Sequence, residues 1–415
     1  MNAKHAKKVR DTFWEFGTLE GMHKLTSVSL FFLAAGILTS VTILSAYQIL
    51  FTIALFYYTF QAYKDKDLKL PTSAYWLLAF SVIALLSTII NIDLIPKPSK
   101  NFGRIKYFLY GVGGIYVFRY WLKEANDKSK KIIANTFLLS VVVGGLYVIG
   151  YYIIVKNDNR GRPLTETMRY GYGSAMLLLT LLSAYLNKDR FKTWLEPKYL
   201  LTAFIVGFIG MFLTFTRGAF LAFLCGLPFT LYFYKKKMVL IGLGISIIIM
   251  GTMGTFYLFG TTTNMNFRML STKGFNSDQI RQSQWQSAIY AIKEKPILGW
   301  GLSNFHTQVE RIKNTYDLGA KNYYDAHSHN VFLEIGAGTG LIGLFFFLGW
   351  LVTWAYECFK ANGMKRALVV PFGVAFVVGA QFEVTFDANN ASMIFAIYSI
   401  SSAISFKTSR IPAVH

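Results

Sequence analysis

The densest run of chemistry-bearing residues is Tyr323-Tyr324-Asp325-Ala326-His327-Ser328-His329-Asn330-Val331-Phe332-Leu333-Glu334, followed by Gly336, Gly338, Gly340 and Gly343. An imidazole titrates near neutrality, so it suits a general base that takes the proton of a sugar hydroxyl as the hydroxyl attacks. His327, His329 and Asp325 on an extended segment also have the spacing of a metal-ligand set. No further His or Cys cluster accompanies them, so the reading is a base and no metal. A capping or packing role would account for one histidine; His-Ser-His-Asn between two acids exceeds it. Glu334, one turn below the histidines, is either a partner for a cation or an orienter for an imidazole.

Two arginines could hold a developing negative charge. Arg217 sits in Thr214-Phe215-Thr216-Arg217-Gly218, a short turn between two apolar runs. A guanidinium near hydrocarbon is costly unless it faces a cavity or a partner, and its planar fork binds phosphate oxygens bidentately. The plainer role is an anchor that snorkels outward. The two threonines and Gly218 would let a phosphate approach closely. Arg281 lies in a stretch whose apolar residues at 285, 288, 289 and 292 have helical spacing. With Ser277 or Asp278 as the cap, it falls in the first turn, where the helix dipole disfavours a cation. Gln282 and Gln284 beside it offer hydrogen bonds to sugar hydroxyls.

The elements that must position these residues are apolar helices. The 415-residue chain is 53% hydrophobic and only 15% charged, against about 25% charged in soluble domains. Apolar runs of roughly 18 residues or more recur throughout, long enough to cross about 30 Å of hydrocarbon. The expected fold is all-α: a polytopic membrane protein with about 12 transmembrane helices and one large outer-face loop bearing short helices. Residues 1–24 form a cytoplasmic lead-in without a cleavable signal. Nine spans occupy 25–258, the loop 259–330, three spans 331–406, and a cytoplasmic tail 407–415. Within the loop, Pro296-Ile297-Leu298-Gly299-Trp300-Gly301 reads as a Gly-rich apolar turn, and a second short helix is expected around 306–316. The glycines after His329 permit close helix packing and a bend.

The net charge of +21 is first a topology signal, because lysines and arginines concentrate in the loops on the side of both termini. That makes the terminal side cytoplasmic and argues against a nucleic-acid partner. The opposite face still carries cations in short loops and at helix mouths: Lys97, Lys100, Arg104, Lys106, Arg160, Arg162 and Arg169. A field focused there suits an anionic substrate. Cys225 and Cys358 fall within or beside apolar segments and suggest neither a disulfide nor a metal site.

His329-Asn330, spaced by nine residues from Gly340-Leu341-Ile342-Gly343, resembles the signature of the O-antigen ligase family, within the O-antigen ligase/polymerase superfamily. So do Thr214-Phe215-Thr216-Arg217-Gly218-Ala219, the helix bearing Arg281, and the 296–301 phrase. The resemblance covers roughly 200–355 by motif. It implies an inner-membrane glycosyltransferase, both termini cytoplasmic, that moves a polysaccharide from undecaprenyl diphosphate onto a lipid A-core sugar at the periplasmic face, with no metal and no cofactor. The family's histidine maps onto His329 and its two arginines onto Arg217 and Arg281; Arg104 is assigned as a further diphosphate ligand. His327, Asn330, Asp325, Glu334 and Gln284 are assigned as acceptor contacts or supports. The alternatives are an O-antigen polymerase or a protein O-oligosaccharyltransferase of the same superfamily and, from another class, a transporter of an anionic lipid-linked sugar.

Overall fold

The computed structural model describes residues 19–155, 161–190, 195–259, 273–318, 327–361, 363–384, 386 and 388–408. Asp325, Arg160, most of the N-terminal lead-in and the end of the tail lie outside the described residues. Among those described there are helices and no strands. In chain order they are Leu19–Gly36 (α1), Val41–Lys64 (α2), Thr72–Ile90 (α3), Pro98–Glu124 (α4), Asp127–Ile154 (α5), Thr167–Leu186 (α6) and Pro197–Leu213 (α7). Then follow Arg217–Tyr234 (α8), Val239–Phe259 (α9), Lys273–Glu294 (α10), Val309–Thr315 (α11), Val331–Lys360 (α12), Met364–Gly379 (α13) and Ala388–Thr408 (α14).

The described residues are predominantly helical. Five helices (α2, α3, α5, α8 and α12) are long and apolar enough to cross a membrane, so the chain is a multi-pass membrane protein. Several start where the sequence supplies a cap. Asn126 accepts from Ser129 N–H at 2.8 Å ahead of α5, and Pro98 opens α4, where the missing N–H costs nothing. The helices pack through large side chains against small ones. A Cβ at Gly349 of α12 would collide with the Trp76 ring of α3. Phe80, Phe108, Phe347, Trp350, Phe386 and Phe395 join α3, α4, α12 and α14 through ring contacts of 4.8 to 5.7 Å.

Two features of the 259–330 segment depart from expectation. Among the described residues α10 spans Lys273–Glu294, so Arg281 lies about two turns inside it rather than in its first turn, and Ser277 and Asp278 are interior positions, not caps. The 296–301 phrase is more than a turn. α12 breaks at Gly340, where φ is 70° and ψ −175°, a conformation open essentially to glycine alone. The break frees carbonyls of the first half-helix, and the phrase satisfies them: Trp300 N–H donates to Ala337 O at 3.0 Å and Gly301 N–H to Gly338 O at 2.8 Å. In return Leu341 N–H, at the start of the second half, donates to Pro296 O at 2.7 Å. Ser87 Oγ of α3 lies 2.5 Å from Leu298 O and 2.8 Å from Gly338 O, a single hydroxyl donor shared at the break. Irregular backbone in a membrane protein persists only where protein groups complete its hydrogen bonds, as here.

Candidate active site at the helix ends

His327 and His329 close the segment before α12, and their neighbours fix them. Asn330 is the N-cap, its Oδ1 accepting from Phe332 N–H at 2.9 Å and Leu333 N–H at 3.1 Å. Its Nδ2 reaches Gln381 O and Oε1, each at 3.3 Å. Glu334 is buried and its Oε2 accepts from Ser328 N–H at 2.9 Å; it thus ties down the peptide between the two histidines. Val331 N–H donates to Ala380 O at 2.8 Å, which fastens the start of α12 to the end of α13. His329 adopts φ 52°, a left-handed conformation uncommon outside glycine and held here by the bonds on either side.

The turn after α13 supplies a carboxylate to both rings. Glu383 Oε1 lies 2.6 Å from His327 Nε2, and Oε2 lies 3.1 Å from His329 Nδ1. The ring centroids are 4.4 Å apart. Glu383 is buried, whereas the His327 and His329 side chains keep 35% and 23% of their surface open. Burial by itself would raise this carboxyl; hydrogen bonds from His327 and His329, with their charges, outweigh it and hold Glu383 well below the usual carboxylate range. An ionised carboxylate only accepts. His327 therefore carries its bonded proton on Nε2 and His329 on Nδ1, which leaves His329 Nε2 as its basic nitrogen. The same three residues offer one ligand atom each within 4.8 Å of one another, a donor set of the kind that takes a transition metal. As they stand, each carboxylate oxygen is bonded to a different imidazole.

Arg217 and Arg281 share a cleft of about 390 Å³ with Gly218, Gln282, Trp285 and Phe382. Its deeper wall is apolar: Phe220, Leu221 and Leu224 of α8 and Met250 of α9. Arg217 is the first residue of α8. The threonines beside it hold the turn together, Thr214 Oγ1 donating to Met211 O at 2.7 Å and lying 3.1 Å from the Thr216 hydroxyl. Phe215 between them is left-handed, with φ 51°. Gly218 is small because Tyr172 of α6 packs on it; a Cβ there would overlap the phenol oxygen. Tyr172 in turn feels the charges of Arg217, Arg281 and Glu383, which ties the cleft to the histidine pair. Among the described residues, the Tyr172 hydroxyl and Trp285 Nε1 are buried without a hydrogen-bond partner, two donors left over beside the arginines.

Arg104 is elsewhere. It lines a second cavity of about 160 Å³ with Lys100, Glu166, Arg169, His306, His327 and Glu383, so the structure does not join it to Arg217 and Arg281. Phe382 faces the first cavity and its neighbour Glu383 the second. Gln284 is buried in the packing of α10, and Gln282 is the glutamine that lines the arginine cleft. Lys106 points away, its Nζ 2.8 Å from Gln48 Oε1 between helices.

The histidines' carboxylate was missed in the sequence. Glu383 and Asp387 are the two acids that follow Glu357. They fall between two apolar runs, on the face expected to carry His329. That placement was the available signal.

Residues 202–348 match the protein family described as O-antigen ligase. This segment is an O-antigen ligase family domain. It contains both arginines and both histidines, and stops short of Glu383. O-antigen ligase family members are glycosyltransferase-like membrane enzymes. The chain is also similar to an uncharacterized protein of Haemophilus influenzae, 24% identical over 260 residues, which cover 56% of this chain and 63% of the relative. The alignment thus spans less than two thirds of that relative's length.

Proposed function

We propose that the protein is an inverting glycosyltransferase that moves O-antigen polysaccharide from undecaprenyl diphosphate to a lipid A-core hydroxyl at the periplasmic face of the inner membrane. One observation carries this reading: two arginines share an apolar-walled cleft whose rim residue, Phe382, precedes the carboxylate that orients the histidine pair. A lipid diphosphate needs both an apolar wall and guanidinium forks.

The chemistry follows from the geometry. The donor carries its own leaving group, and the bond from the anomeric carbon to the diphosphate oxygen breaks with the electron pair going to the diphosphate. Arg217 and Arg281 stabilise that charge in a setting where water is scarce and such contacts gain strength. His329 Nε2 takes the proton of the acceptor hydroxyl as its oxygen attacks from the opposite face, which inverts the carbon. Glu383 keeps the His329 ring in the productive tautomer and stabilises the imidazolium that forms, as carboxylates do behind catalytic histidines. A polymerase or a protein-glycosylating enzyme would use the same centre with a different acceptor.

The Arg217→Lys variant tests the arginine assignment. A point charge does not replace a bidentate fork, so turnover of a polyprenyl-diphosphate saccharide by the purified variant should fall by roughly tenfold or more, about 1.4 kcal/mol of transition-state binding. Undiminished turnover would show Arg217 to be only an interfacial anchor. Transport of the intact donor without cleavage by the wild-type protein would replace the enzyme with a carrier.

A further inference from the structure

The second cavity lies beyond Glu383 and His327 from the arginine cleft, and its lining is of another kind. Beside Met168, Val384 and Phe386 it gathers basic groups: Lys100 and Arg104 one turn apart on α4, Arg169 in the first turn of α6, and His306. The acids that line it are already engaged. Glu166 Oε2 lies 3.1 Å from Arg169 Nε, and Glu383 holds the two histidines. Glu334, in the crevice next to Arg104, accepts from Ser328 N–H. Among the described residues Lys100 and Arg104 have no acidic partner, and both charges act on the His306 ring. Lys100 and Arg104 thus form no ion pair at this cavity, and two such cations side by side favour an anionic ligand.

We infer that this cavity is the acceptor subsite and that it takes a phosphate-bearing sugar, with Lys100 and Arg104 on the phosphate and the sugar's attacking hydroxyl directed toward the histidine pair. The inference rests on reading the site as a glycosyl-transfer centre. The apolar-walled cleft suits the lipid-linked donor, and the cavity on the other side of Glu383 is then the one left for the nucleophile. An arginine fork and a lysine on one phosphate match its charge and geometry better than they match a neutral hydroxyl. Lys100, Arg104 and Arg169, three of the cations in short loops or at helix mouths of that face, line this cavity.

The test compares two acceptors with one donor. Purified full-length protein is given a polyprenyl-diphosphate saccharide and a lipid A-core acceptor, either with its core phosphates intact or after their enzymatic removal. Wild type should prefer the phosphorylated acceptor by roughly tenfold to a hundredfold in kcat/KM, the range expected for charge-assisted contacts, with the change mainly in KM. In the Lys100→Gln/Arg104→Gln variant that preference should shrink toward one. Equal kcat/KM for the two acceptors with wild type would overturn the subsite while leaving the transferase reading intact. Transfer to neither acceptor, with the donor intact, would instead count against the transferase reading. A preference that survives in the double variant would place phosphate recognition elsewhere. The wild-type comparison needs no variant to fold, and Arg104→Lys, which keeps the charge, should retain part of the preference.

Discussion

At the scale of single residues, the arrangement turns on Glu383. One carboxylate accepts from two imidazoles at 2.6 and 3.1 Å, and a glutamine cannot do this because half of its amide donates. Glu383→Gln should lower kcat by about 10- to 100-fold, the usual cost of losing a group that orients a working histidine. An unchanged kcat would make Glu383 a packing residue only. A carboxyl depressed from its ordinary value of 4.5 contributes stability above that pH, and the contribution is lost only as pH falls through the depressed folded-state value. His329, Arg217 and Arg281 could be picked out in the sequence because each is a costly residue in an apolar setting. Glu383 could not be assigned to them, since its relation to the histidines is made by the fold across more than fifty positions, 327 to 383.

At the scale of elements, the broken helix α12 sets the register of the site. Its first half carries the Asn330 cap and Glu334, and its second half runs on through the bundle. The 296–301 phrase fills the break and thereby fastens α10, which carries Arg281, to the helix that begins after His329. Glycine is required at 340 for two reasons: its φ of 70° with ψ near −175°, and a Cβ that would overlap the Ile297 carbonyl. Gly340→Ala should cost about 1–3 kcal/mol from backbone strain alone, seen as a lower thermal midpoint in detergent, and should reduce transfer by loosening α10, which carries Arg281, from α12. Wild-type stability and turnover would contradict this coupling. The sequence showed the glycines and the apolar phrase as separate features, one for packing and one for a turn. Their pairing is a long-range backbone match that no local spacing encodes. The start of α10 was misplaced for a simpler reason: Ser277 and Asp278 are good caps, and the helix continues through them to Lys273.

At the scale of the whole molecule, the helix ends that matter meet at one face. The first turns of α6 and α8, the start of α12 and the turn between α13 and α14 all contribute, so a carboxylate, two histidines and several arginines gather from segments far apart in the chain. The helical, multi-pass character was legible from apolar run length; which cation joins which cavity was not, and Arg104 shows it. The two cavities, one apolar-walled and one basic, stand on either side of Glu383. The central claim is that His329, bonded to Glu383, takes the acceptor's proton. Its most direct test is saccharide transfer from a polyprenyl-diphosphate donor to a core acceptor by purified wild type and His329→Ala, with folding checked by thermal melt. Loss of transfer by about 100-fold or more in a variant that melts like wild type is the result expected; transfer at the wild-type rate by that variant would contradict the claim.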